Sequence, residues 1–93
     1  MNRLDRAMEW ATAMDKSLLY LGNEEEHQDF ADAFIGIVDD EFPKAIYNTE
    51  KIIEVFVKRD GMTYEEALEY FDYNVRGAYM GEQTPLFILS FES

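Results

Sequence analysis

The apolar residues of this chain fall in short stretches, each bounded by a cap or a turn, and that punctuation limits what the chain can fold into. Leu4, Ala7, Met8, Ala11, Met14, Leu18 and Leu21 recur at helical spacing behind Asn2, a residue suited to capping, and Gly22-Asn23 closes the stretch. The spacing predicts a helix running to Leu21. Trp10, Ala13, Ser17 and Tyr20 widen its apolar face toward a core or a second protein.

Asn23 followed by Glu26 has the form of a capping box and predicts a short helix to about residue 31. Ala33-Phe34-Ile35-Gly36-Ile37-Val38 is rich in strand formers, Asp39-Asp40-Glu41-Phe42-Pro43 supplies a turn, and Ala45-Ile46-Tyr47 follows. A hairpin is expected here, with a helix continuing from residue 24 through Val38 as the alternative. Asn48-Thr49 caps a helix carrying Ile52, Ile53, Phe56 and Val57, which stops at Lys58-Arg59-Asp60-Gly61. Thr63-Tyr64-Glu65-Glu66 is a full capping box, and Ala67, Leu68, Phe71, Val75 and Ala78 carry that helix to about Gly77 to Gly81. Pro85 opens Leu86-Phe87-Ile88-Leu89-Ser90-Phe91, short enough for a buried strand. The expected fold class is α+β: one domain over residues 1–93, with a three-stranded antiparallel or mixed sheet packed with three to four helices on one face.

The 93 residues include 20 acidic and 8 basic side chains, for a net charge of -12, but 47% are hydrophobic and 15% aromatic, too many for a disordered tail. A chain this long buries roughly 60 to 65% of its unfolded surface, enough for one modest core. The charge argues against direct nucleic-acid binding, which needs Lys and Arg on phosphates, and against anionic membranes. The absence of cysteine removes disulfides, a thiolate nucleophile and Cys-type zinc sites. The charged start Met1-Asn2-Arg3-Leu4-Asp5-Arg6 does not fit a signal peptide, and no apolar run is long enough for a membrane span, so the cytoplasm is the expected address.

The negative charge is localised. Residues 23–42 hold Glu24, Glu25, Glu26, Asp29, Asp32, Asp39, Asp40 and Glu41 with no Lys or Arg, and residues 62–93 hold six acids against Arg76 alone. Residues 1–22 and 43–61 are nearly neutral, so the charge forms two zones with a field of their own.

Sequence motifs for catalysis are sparse. His27 is the lone histidine and sits among acids, where a solvated side chain is the simpler reading than a base lacking its partners. Asp39-Asp40-Glu41 reads as a polar turn before a weak cation site, and Gly77-Ala78-Tyr79-Met80-Gly81 has GxxxG spacing outside any apolar 20-mer. No cofactor and no metal are expected, and the chain reads as non-enzymatic. What remains is surface: Glu65, Glu69, Asp72 and Arg76 line one helical face, with Tyr70 and Tyr73 off the apolar stripe. Tyrosines among acids suit a partner with a basic surface, because the ring supplies rigid contact area and the acids steer association. The same pattern also fits tyrosines that cover the core edge while acids keep the helix soluble.

The C-terminal half, from Ala45-Ile46-Tyr47 through Glu65-Glu66-Ala67-Leu68-Glu69-Tyr70-Phe71 to Asn74, Gly77-Ala78-Tyr79 and Gly81-Glu82-Gln83-Thr84-Pro85-Leu86-Phe87, resembles a group of small acidic accessory proteins of tailed bacteriophages and prophages. The likeness covers about half the chain, and the Asn74 to Pro85 pattern is its most specific part. It implies an accessory protein in the cytoplasm of an infected bacterium. Small acidic phage proteins often bind a host enzyme, including restriction, BREX or CRISPR machinery, and some imitate DNA.

The leading expectation is therefore an inhibitor of a host protein, using Glu24, Glu25, Glu26, Asp39, Asp40 and Glu41 together with Glu65, Glu69, Tyr70, Asp72 and Tyr73. DNA mimicry is its sharper form. One alternative is an enzyme or ligand-binding domain with a pocket near Tyr47, Asn74, Tyr79 and Glu82. Another is a structural phage protein forming a homodimer through its first helix. In the motif, Asn74, Glu82 and Thr84 are expected to fix the helix-to-strand turn through hydrogen bonds to backbone.

Overall fold

Local signals set most of the elements in the computed structural model, which describes residues 1–90. Helix α1 spans Arg3–Ala13, and Asn2 and Asp5 form a capping box at its start. It stops well short of Leu21. Asp15 adopts the left-handed conformation (φ 55°), the Lys16 amide donates to the Ala11 carbonyl (2.9 Å) and the Asp15 amide to that of Thr12 (3.2 Å). That is a Schellman ending with aspartate where glycine is usual. Leu18 and Leu21 still reach the core, but from an extended segment rather than a helical face.

The Asn23 and Glu26 box forms, with the Glu26 amide donating to the Asn23 side chain (3.1 Å) and the Asn23 amide to Glu26 (3.4 Å). It closes a turn that leads into a 3-10 segment, His27–Ala33, in place of the expected short α-helix. The hairpin follows as expected, with β1 at Phe34–Val38 and β2 at Lys44–Asn48. The two pair antiparallel, with a bulge between Phe34 and Gly36. Asn48 caps α2, Thr49–Asp60, and Gly61 ends it at φ 70°, a conformation open to glycine without cost. The Thr63 and Glu66 capping box opens α3, Tyr64–Phe71, which widens into a π turn over Asp72–Arg76.

Strand β3, Leu86–Ile88, lies parallel to β2, so β2 is central and the sheet is mixed. Pairing register decides which side chains face the core. Phe34, Ala45, Tyr47 and Phe87 point to the helices, and Tyr47 and Phe87 sit directly opposite. Leu86 and Ile88 point the other way and are each 43% exposed. The buried strand expected over Leu86 to Phe91 is thus an edge strand with one apolar face uncovered, and Phe91 lies outside the described residues. A parallel strand at an edge, with helices on one face only, has nothing to bury its second face.

The core is one cluster in which Leu4 of α1, Phe30, Phe34, Tyr47, Ile52, Ile53, Phe56 and Phe71 meet. Edge-to-face rings knit it: Phe30 on Phe56 (5.9 Å), Phe34 on Tyr47 (5.5 Å) and Phe71 on Phe87 (5.1 Å). No helix among the described residues is long and apolar enough to cross a membrane.

Candidate functional site

The capping box at Thr63 fixes where α3 begins, and with it the direction of every side chain on its outer face. Ala67 and Phe71 are buried, which turns Glu65, Glu69 and Tyr70 outward, and the π turn then presents Asp72 and Tyr73. Tyr73 is 82% exposed. Tyr70 is 43% exposed and packs one ring edge on Phe56 at 5.1 Å, so it covers the core rim while leaving half its surface free. Asp72 is paired with Arg76 (2.9 Å), whose guanidinium lies over Phe71 (4.9 Å).

The fold brings residues from both acidic stretches to one cavity. Glu26 and Tyr70 line this space of about 160 Å³ together with Arg59 and the apolar Leu21, Phe30, Phe56 and Val75. Glu24 and Glu25 are exposed on the turn next to Glu26. Asp39, Asp40 and Glu41 are also exposed, but they occupy the hairpin turn and do not line this cavity. Nor do three His, Asp or Glu side chains converge as a metal site would among the described residues. His27 lies against the Tyr20 ring (5.4 Å).

In the sequence Arg59 marks only the stop of a helix, and in the structure it organises the acidic rim. Its guanidinium donates to Glu26 (3.2 Å), Asp29 (3.1 Å) and Asp60 (2.9 and 3.0 Å), and lies over the Phe30 ring at 5.2 Å. The Asp60 carboxylate is held below the usual range, chiefly by its hydrogen bonds from Arg59. The stretch that carries no cation of its own thus acquires one from α2. Basic residues in the last turn of that helix gave a signal for its end, but none for a partner 30 positions earlier.

The residues of the alternative pocket are dispersed in burial. Tyr47 is 0% exposed and its hydroxyl accepts the Leu21 amide hydrogen (3.1 Å), so it presents nothing to an open cleft. Burial pushes its phenol up to about 12. Tyr79 is 81% exposed, Glu82 is exposed, and the Asn74 side chain donates to the Tyr70 carbonyl (3.3 Å). Thr84 closes the turn into β3, accepting from the Met80 amide (2.8 Å) and donating to the Gly81 carbonyl (2.7 Å). Gln83, which the sequence marks only as part of the Gly81 to Phe87 run, ties the turn to distant backbone: its amide donates to the carbonyls of Ser17 (2.5 Å) and Pro43 (3.1 Å).

Compared with protein-family models, with curated proteins and with solved structures, the chain matches none.

Proposed function

We propose that this is a phage-encoded, non-enzymatic inhibitor that binds a basic surface of a host protein in the bacterial cytoplasm, one that handles nucleic acid in defence, such as a restriction, BREX or CRISPR component. The observation that carries the reading is the α3 face, where Tyr70 and Tyr73 stand exposed among Glu65, Glu69 and Asp72, beside a cavity that borrows Glu26 from the other acidic zone. Exposed tyrosines near carboxylates offer contact area, and the carboxylates draw a cationic partner by their field. With few cations to set against them, the carboxylates also resemble a phosphate array, which is the basis for DNA mimicry.

The test is capture from a bacterial host by the intact protein, followed by competition with duplex DNA across a salt series. A specific partner lost with Tyr70→Ala/Tyr73→Ala or with Glu65→Lys/Glu69→Lys is expected, at least tenfold weaker in either double variant. Mimicry further requires that DNA displace the protein and that salt weaken the complex. A partner indifferent to DNA and salt rules out mimicry, and one indifferent to all four substitutions rules out this face.

A further inference from the structure

A second surface carries the opposite charge. Arg3 and Arg6 of α1 line a groove of about 250 Å³ together with Ala7 and the strand residues Phe34, Ile35, Gly36 and Ile37. Neither arginine has a carboxylate within ion-pair distance among the described residues, whereas Arg59 and Arg76 are both paired. Asp5, the nearest acid on the helix, is engaged by the Gln28 amide (2.8 Å) and the Asn2 backbone. The groove follows β1, whose only strand partner among the described residues is β2, so its outer edge is unpaired among them. Unpaired edges invite a further strand.

The same chain holds the complement. Directly after β1 come Asp39, Asp40 and Glu41, all exposed and likewise without ion pairs among the described residues. We propose that two copies of this protein associate through this groove, β1 against β1 antiparallel about a two-fold axis, with Asp39, Asp40 and Glu41 of each copy serving Arg3 and Arg6 of the other. An isologous contact makes every such pair twice. The half-buried Ile35, Ile37 and Val38 supply its apolar part. This inference is independent of the α3 reading, which uses another surface.

Like net charges of -12 repel, so salt alone is a poor probe: it screens the repulsion and the pairing together. Charge reversal with rescue separates them. Light scattering and sedimentation of the full chain should give a dimer, and Arg3→Glu/Arg6→Glu or Asp39→Arg/Asp40→Arg should each weaken it at least tenfold while circular dichroism stays unchanged. Lys51→Glu/Lys58→Glu changes net charge as much as the first variant, on exposed positions of α2, and should weaken it far less. Mixing the two reversed variants should restore a heterodimer, because both copies of the contact are then matched again. A strict monomer at millimolar concentration overturns the proposal. So does a dimer insensitive to the reversals, which would put the seam elsewhere, such as the uncovered Leu86 and Ile88 face. A monomer that instead takes up an alternating Val/Glu peptide at β1 also overturns it, since the edge would then serve another chain.

Discussion

Tyr47 shows how much one hydroxyl can carry in so small a core. Its ring packs against Phe34 and Phe87, and its oxygen accepts the backbone hydrogen of Leu21, which the early end of α1 leaves outside any helix. Tyr47→Phe keeps the ring and strands that amide, and a buried donor without a partner costs about 1 to 3 kcal/mol. Urea unfolding at neutral pH should show that loss. The pH dependence has a definite sign. Because the folded phenol titrates near 12 and an unfolded one near 10, its contribution is fully present below pH 10 and disappears as pH rises to 12. The wild type should therefore lose roughly 2 to 3 kcal/mol across that window that the Phe variant does not. Equal alkaline losses in both would show that Tyr47 is not the group responsible.

At the scale of elements, caps were legible and an unconventional stop was not. Asn2, Asn48 and Thr63 each accept the amide hydrogen that their sequence context foretold, because capping is decided within four residues. Gly61 marked the end of α2 for the same local reason. Asp15 gave no such signal, since the apolar period runs on through Leu18 and Leu21 while the backbone turns left-handed beneath it. Asp15→Gly should stabilise the protein by about 0.5 to 1 kcal/mol, because glycine takes that conformation without the steric cost of a Cβ. Thermal unfolding reads this directly, and destabilisation instead would mean that the aspartate side chain holds the turn. Strand β3 was legible as a strand but not as an exposed one: a short apolar run looks the same whether one face is covered or two.

Across the whole molecule, the acidic excess is arranged by long-range contacts. Arg59 draws Glu26 and Asp29 to α2, and Gln83 ties the motif before β3 to Ser17 and to Pro43 of the hairpin. Arg59→Gln should cost roughly 1 kcal/mol, a modest figure because the side chain is about a third exposed and its pairs are screened. The difference from wild type in urea should shrink between about 20 mM and about 0.5 M NaCl, as both lost attraction and new repulsion are damped. A salt-independent difference would assign the effect to packing on Phe30 instead. Of the candidate binding residues, helical spacing in the sequence placed Glu65, Glu69 and Asp72 on one face with Arg76, and Tyr70 and Tyr73 off the apolar stripe, since that spacing is itself a geometry.

What the sequence determined by itself was whatever short-range chemistry controls: three capped helices, an α+β class and two separate zones of negative charge, while the β1–β2 hairpin stood beside a continuous helix over the same stretch until strand pairing decided it. Tertiary structure alone decided the parallel place of β3, the burial of Tyr47, and the meeting of Glu26 with Tyr70 at one cavity. It also set Arg59 among acids from a distant stretch and left Arg3 and Arg6 beside an open strand edge. These depend on which faces pack together, and packing joins residues whose separation along the chain carries no local signal.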